Sequence, residues 1–338
     1  MRIALDAMGG DRAPEVVVRG AVEAAQELDE DVEILLVGQE ACLQSELSKF
    51  PPIRGIAIVP ASEIIEMADK APAALLRKRS DSSIAVAMKL QKDGAAQAVI
   101  SAGHTGAAVA SSLLSLGRLA EVSRPAIASP LPTEKGLCVL LDAGANASCK
   151  PEWLFQFAVM GELYANHVLG IEKPKVGLLS IGEESSKGDP KTLKTHELLA
   201  ADPNLNFIGN VEGRDIPQGT ADVVVCDGFV GNVILKFAES MVGFLATSIR
   251  EEVMSRWSRK LGAFLLKGAV EEIRKKLDYQ EYGGAPLLGV DGVAIICHGN
   301  SSAKAIKNAI FVAQRMVRER VNDHIKEHLQ RKNSASNE

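Results

Sequence analysis

Aromatic side chains are scarce: Phe, Trp and Tyr supply 4% of the 338 residues, against 46% for all apolar types. A chain of this length buries a sizeable core, and here that core must be built from Ala, Val, Leu and Ile. An excess of positive charge is missing too. The formal net charge is -5, which gives no sign of the basic footprint of a nucleic-acid binder. Cysteine is sparse, and Cys42, Cys138, Cys149, Cys226 and Cys297 lie far apart with no CxxC pair. Several fall in apolar strand-like runs, so buried free thiols in a reducing cytosol are expected. No uninterrupted apolar run reaches the roughly 18 residues of a membrane span. A transmembrane segment is therefore not expected, while attachment to a membrane surface stays open. The opening MRIALDAMGGD reads as a strand and a turn rather than a leader.

The common ligand signatures are also absent. No GxGxxG follows the strand-like residues 3–6, no GxxxxGK[ST] occurs, and no GxSxG nucleophile elbow is present. The six histidines show no metal-ligand spacing with Cys or carboxylates. His324 and His328 share a helix face but lack the HExxH glutamate, so a solvated face is the expectation there.

What the chain does have is a steady alternation of short apolar runs and helical stretches. Strands are expected at 3–6, 33–37, 56–60, 97–101, 126–129, 137–141, 175–181, 206–211, 222–226, 285–290 and 293–297. Helices are expected at 14–27, 80–92 with Ser80 or Asp81 as N-cap, up to 113, 151–169, 190–200 and 302–329. Repeated crossovers of this kind predict a three-layer α/β/α fold with a mostly parallel sheet. Two longer helices, at 230–257 and 264–277, predict an arm spanning about residues 230–278, with a corner near Gly262. Val230, Ile234, Phe237, Met241, Leu245, Ile249 and Val253 form an apolar stripe along the first of them. Such a stripe must be covered either by the sheet or by a second subunit. The expected organisation is a single α/β/α catalytic domain over 1–331 and a disordered tail over 332–338.

Six segments place Gly and small polar residues directly after an apolar run: DAMGGD (6–11), SAGHTG (101–106), DAGAN (142–146), GEESSKGD (182–189), DGFVGN (227–232) and HGNSS (298–302). In a parallel sheet the carboxyl ends of the strands open on one edge, where ligands bind. Backbone amides in glycine turns and at helix N-termini there favour an anion such as phosphate. Any one such turn is equally well a plain βα connection. The concentration of Asp, His, Asn and Lys within all six makes the set a candidate site.

These segments, with LLDAGAN, FIGNVEGRDI, DVVVCDGFVGN and YGGAPLLG, resemble in order and content the bacterial phosphate:acyl-carrier-protein acyltransferases over about residues 2–315. Members of that family usually carry Asn where His104 stands, and HGNSS replaces a commoner HGSS-type sequence. The resemblance implies a fold similar to phosphotransacetylase and isopropylmalate dehydrogenase. It also implies transfer of a fatty acyl group from acyl-acyl-carrier-protein to inorganic phosphate, giving acyl phosphate for glycerol-3-phosphate acylation. The implied partners are acyl-carrier protein, a second copy of the chain, a nearby membrane glycerol-3-phosphate acyltransferase and an anionic membrane surface. The implied location is cytoplasmic, at the inner face of the cell membrane. No cofactor and no metal are implied.

Phosphate is already an oxyanion, so this chemistry needs positioning and charge stabilisation rather than a Ser or Cys nucleophile. Lys187, the sole Lys of GEESSKGD, is the first candidate for binding phosphate or the developing oxyanion. Asn232 offers an amide at the start of the long helix, and His104 either donates to phosphate or caps a helix. Candidate phosphate- or substrate-binding residues are Asp6, Gly9, Gly10, Ser101, Gly103, Thr105, Asp142, Asn146, Asp227 and His298, with Asp11 a weaker candidate for the cleft wall. Between Arg250 and Asp278 eight basic residues face five acidic ones. Trp257, Leu261, Phe264 and Leu265 give that arm an apolar centre suited to a membrane headgroup region or to acidic carrier protein. Three alternatives stay open: a coenzyme A-dependent phosphotransacylase, a dehydrogenase of the same fold, and a non-catalytic scaffold for carrier protein or membrane.

Overall fold

The run Arg2–Asp6 forms the first strand, β1, buried at every residue after Arg2. The computed structural model describes residues 1–69 and 72–335. From β1 the chain continues through α1 (Glu15–Ala25), β2 (Glu33–Gly38), α2 (Glu40–Leu47), β3 (Ile56–Pro60), α3 (Pro72–Lys78), α4 (Ser83–Lys92), β4 (Ala98–Ser101) and α5 (Thr105–Ser115). β5 (Ala126–Ile127), β6 (Ser129–Thr133), β7 (Gly136–Leu141), α6 (Pro151–His167), β8 (Val176–Leu179), α7 (Pro190–Ala200), β9 (Phe207–Val211), α8 (Asp215–Gln218) and β10 (Val223–Val225) follow. The arm is α9 (Gly228–Met254), α10 (Trp257–Leu265) and α11 (Lys267–Leu277). A 3-10 turn at Tyr279–Tyr282 leads into β11 (Ala285–Leu288), β12 (Val293–Ile296), α12 (Ala303–Arg318) and α13 (Val321–Ala335).

The strands divide between two sheets rather than one. The first has seven, in the order β3-β2-β1-β4-β12-β11-β5, and the second five, in the order β6-β7-β10-β8-β9. Pairing is parallel except at β11, β5 and β6. The expected strand at 126–129 is where the chain changes sheet. Ile127 pairs with Leu287 of β11, whereas Ser129, two residues on, pairs with Leu140 of β7.

Strand periodicity explains the layers. On β1, Ile3 and Leu5 pack into one core with Val18 of α1 and Ile310 of α12. Ala4, between them, points into a second core with Ala87 and Met88 of α4 and Ala107 of α5. Helices therefore cover both faces of the first sheet. On β10, Val223 and Val225 join α6 in the large core, while Val224 faces a smaller one with Leu131, Ile216 and Leu140.

Several boundaries differ from expectation. Asp81 accepts from the Ser62 backbone, and Ser82 takes the N-cap position of α4. The second arm helix is two, α10 and α11, broken at Leu266, and the corner after α9 falls at residues 255–256, so Gly262 lies within α10. The last helix breaks at Arg320, which adopts a left-handed φ of 50°. Its second half continues to Ala335, past Lys332, where fraying was expected. The rest of the expected tail, residues 336–338, lies outside the described residues.

The arm is the least covered part of the fold. Of the 27 residues of α9 only Gly228 and Gly231 are buried. The sheet therefore does not cover its apolar stripe: Phe237 is 66% exposed and Ile249 62%. By length and composition α9 could cross a membrane, since its most apolar window has a mean hydropathy of 1.5. Asn232, Lys236 and Glu239 interrupt its apolar residues, so no unbroken apolar run marks it in the sequence.

Candidate active site

Three of the glycine turns meet at the carboxyl edge of the first sheet. Asp6 ends β1 and accepts a 2.6 Å hydrogen bond from Ser101 Oγ at the end of β4; that hydroxyl in turn accepts from Gly103 N at 3.1 Å. Gly9 has no room for a side chain, because a Cβ there would stand 2.6 Å from Asp6 Oδ2 and 2.7 Å from Gly103 N. Gly10, at φ +117°, lies against the third turn, and Asp11 N donates to Gly299 O at 2.8 Å. Burial pushes the Asp6 carboxyl above its ordinary pKa, opposed by hydrogen bonds from Ser101 and Ser83. A cavity of about 10 Å³, the size of one water, lies between Asp6, Ser83, Ser101, Gly103 and His104. His104 caps α5, its Nδ1 accepting from Ala107 N at 3.3 Å.

The turns of the second sheet interlock in a different way. Asp142, fully buried, spends its carboxylate on the backbone. Oδ1 accepts from Ile127 N, Gly144 N and Ala145 N, each at 3.0 Å, and Oδ2 from Asn146 N at 2.7 Å and Nδ2 at 2.9 Å. Asn146 also donates to Pro125 O, and its own carbonyl accepts from Gly228 N at 2.8 Å. Asp227 caps α9 through Val230 N at 3.0 Å and forms an ion pair with Lys191. Burial works against the Lys191 ammonium, yet the bond and charge of Asp227, helped by Asp189, raise its pKa. Lys187 lies exposed in the 182–189 loop, with its carbonyl held by Ser180 Oγ and Asn210 Nδ2. Its Nζ makes no hydrogen bond or ion pair among the described residues.

Between the two sheets an open cavity of about 170 Å³ collects residues from several of these turns. Its lining includes the polar residues Thr105, Asn232, His298 and Ser301 and the apolar residues Ile127, Pro130, Leu235 and Ile296. Two polar residues that the turn motifs did not single out stand on α9 beside Asn232. Lys236 Nζ is 2.9 Å from His298 Nε2 and 2.8 Å from Glu239 Oε2. The helical spacing 232, 236, 239 on one face was the signal that could have found them. Lys187, Asp6, Asp142, Asn146 and Asp227 are not on the wall of this cavity. Cys297 is, but burial pushes its thiol up to about 12, which disfavours the nucleophilic thiolate. The arm residues Trp257, Leu261, Phe264 and Leu265 lie on α10, exposed and away from the cavity.

A family profile described as "Fatty acid synthesis protein" matches residues 1–324. The chain is 54% identical over 332 residues to the phosphate acyltransferase of Heliobacterium modesticaldum, covering 97% of this chain and 98% of that one. It is 51% identical over 326 residues to the phosphate acyltransferase of Pelotomaculum thermopropionicum, covering 96% and 94%. The chain belongs to the phosphate acyltransferase family. A phosphotransacetylase from Staphylococcus aureus has the same fold, with a TM-score of 0.62 over 94% of each chain at 16% identity. A 4-hydroxythreonine-4-phosphate dehydrogenase from Klebsiella pneumoniae is more distant, with a TM-score of 0.51 at 14% identity, covering 94% of this chain and 99% of that one. As a phosphate acyltransferase the chain needs a polar site for an anion beside an apolar surface for an acyl group. The lining of the cavity between the sheets includes both kinds of side chain.

Proposed function

We propose that this phosphate acyltransferase moves a fatty acyl group from the thioester of acyl-carrier protein to inorganic phosphate in the cavity between the two sheets. The observation that carries the reading is that polar Thr105, Asn232, His298 and Ser301 and apolar Ile127, Pro130 and Leu235 line one and the same cavity. A phosphate oxygen attacks the thioester carbonyl, and the tetrahedral oxyanion collapses with loss of the thiolate. The proton that hydrogen phosphate gives up ends on that sulfur, so acyl phosphate and a thiol leave. Asn232 donates its amide to the oxyanion or phosphate, and Lys187 swings in from its exposed loop to neutralise the charge that develops. Thr105 begins α5, whose N-terminal amides favour the anion. His104, Asp6, Ser101, Gly9, Gly10 and Gly103 set the shape of the adjoining turn, and Asp142, Asn146 and Asp227 hold α9 in place.

The same reading treats residues 1–331 as one catalytic unit that acts as a homodimer, a second copy covering the exposed stripe of α9. In this reading the basic arm faces acidic carrier protein or an anionic bilayer, and the protein works in the cytoplasm at the membrane near a glycerol-3-phosphate acyltransferase. The decisive experiment measures acyl phosphate directly with acyl-carrier-protein and acyl-coenzyme A donors in parallel. Lys187→Ala is expected to lower turnover by about 100-fold or more, and Asn232→Ala by less, since it removes one neutral donor. Unchanged turnover in Lys187→Ala overturns the role of that residue. Exclusive use of coenzyme A thioesters, or binding of carrier protein with no acyl phosphate released, overturns the reading as a whole.

A further inference from the structure

We propose that Lys236 is the cation that binds phosphate in the cavity between the sheets, and that His298 is a positioning residue that holds its ammonium there. This deepens the reading above and rests on it. Among the described residues lining the cavity, Lys236 is the one Lys or Arg. An inorganic phosphate entering that space therefore finds one ammonium on its wall, paired with the Glu239 carboxylate that also lines it. Lys236 lies one helical turn beyond Asn232, so the two side chains rise from the same face of α9.

The surroundings of Lys236 fix it there. Nζ stands 2.9 Å from His298 Nε2 and 2.8 Å from Glu239 Oε2. An ammonium has three protons and no lone pair. Donation to Nε2 therefore requires a neutral imidazole with its proton on Nδ1, and a third N–H remains for an anion. Both ends of this contact are anchored by backbone. The His298 turn is held by Ser301 N to His298 O at 2.9 Å and by Asp11 N to Gly299 O at 2.8 Å. The start of α9 is pinned at Gly231, where a Cβ would stand 1.9 Å from Asp142 O. The Lys236–His298 contact thus links the arm helix to the turn after β12, and both residues line the cavity. Glu239 keeps the free site near neutral, so phosphate adds a charge-assisted bond without an unbalanced cation waiting for it.

The test is steady-state kinetics on the full chain with inorganic phosphate varied at saturating acyl donor, acyl phosphate being measured directly. Lys236→Met is expected to raise KM for phosphate by about 10- to 100-fold, the usual range for one lost charge-assisted bond. KM for the acyl donor should move less than about threefold. Lys236→Arg should restore most of the phosphate affinity. His298→Ala should raise KM for phosphate more than it lowers kcat. His298→Gln, whose amide oxygen can still accept from the ammonium, should rescue it. Phosphate should raise the thermal midpoint of the parent and fail to do so in Lys236→Met. An unmoved phosphate KM in Lys236→Met, with the parent active, overturns the role of Lys236 alone. A parent that releases no acyl phosphate overturns instead the reading of the cavity on which it rests.

Discussion

Asp142→Asn removes one charge and changes one atom, and the structure assigns it a cost in stability. The carboxylate accepts five hydrogen bonds, three at Oδ1 and two at Oδ2. The amide can keep its oxygen toward Ile127, Gly144 and Ala145. Its NH2 then faces the backbone N–H of Asn146 at the position where Oδ2 lies 2.7 Å away, and the Asn146 side chain at 2.9 Å. Turning the Asn146 amide over would relieve the second conflict, but only by giving up its 2.7 Å bond to Pro125 O. At about 1–3 kcal/mol for each of these two donors left without a partner, the substitution should cost about 2–6 kcal/mol. Urea unfolding followed by circular dichroism should show a lower midpoint with the slope unchanged. Phosphate KM in the folded variant should stay within about threefold of the parent. A variant as stable as the parent yet about 100-fold slower would refute the reasoning and make Asp142 a catalytic group.

Gly231→Ala should cost at least about 1–3 kcal/mol and displace Asn232 and Lys236, lowering turnover more than tenfold, because its Cβ would meet Asp142 O at 1.9 Å. Gly268→Ala, with nothing within 4 Å, is the control and should be neutral or stabilising in thermal melts; equal losses in both would sink the steric account. His167, whose ring stacks 4.1 Å from that of His324, is destabilised as a cation by burial and by the neighbouring imidazole, and His328 by burial and Lys332 against the pull of Asp202. Histidines held below their ordinary pKa of about 6.5 make the unfolded chain the better proton binder. Stability should therefore be full above that value and fall as pH drops through the window beneath it, more shallowly in His324→Gln; a flat parent profile between pH 7 and 5 would contradict this. Leu261→Glu with Leu265→Glu, both exposed on α10, should reduce sedimentation with anionic vesicles while sparing turnover on soluble donor. Persistent vesicle binding with loss of carrier-protein turnover would reassign the patch to carrier docking.

Much of the fold follows from local pattern, and the sequence alone determines that part. The all-apolar core of β1, the exact span of α7 behind Asp189-Pro190 and the start of α6 at Pro151 depend on side-chain period and on caps within a few residues. The positions of the polar turns follow for the same reason, since glycine and short polar side chains mark where a strand must end. Tertiary structure decided what each turn residue does. Asp6, Asp142 and Asp227 look alike in sequence, yet one bonds a neighbouring strand's serine, one fills a nest of amides and one caps a helix beside Lys191. Lys236 and His298 are separated by 62 positions and meet only when the start of the arm helix and the turn after β12 come together in the folded chain. The change of sheet at residue 128 depends on which strand edges are free when 126–133 arrives. The stripe on α9 has the same period whether a sheet or another surface is to cover it, and only the packed structure shows that the sheet leaves it bare. Period and capping are properties of neighbours along the chain, whereas partners for charge and apolar surface come from segments far apart in it.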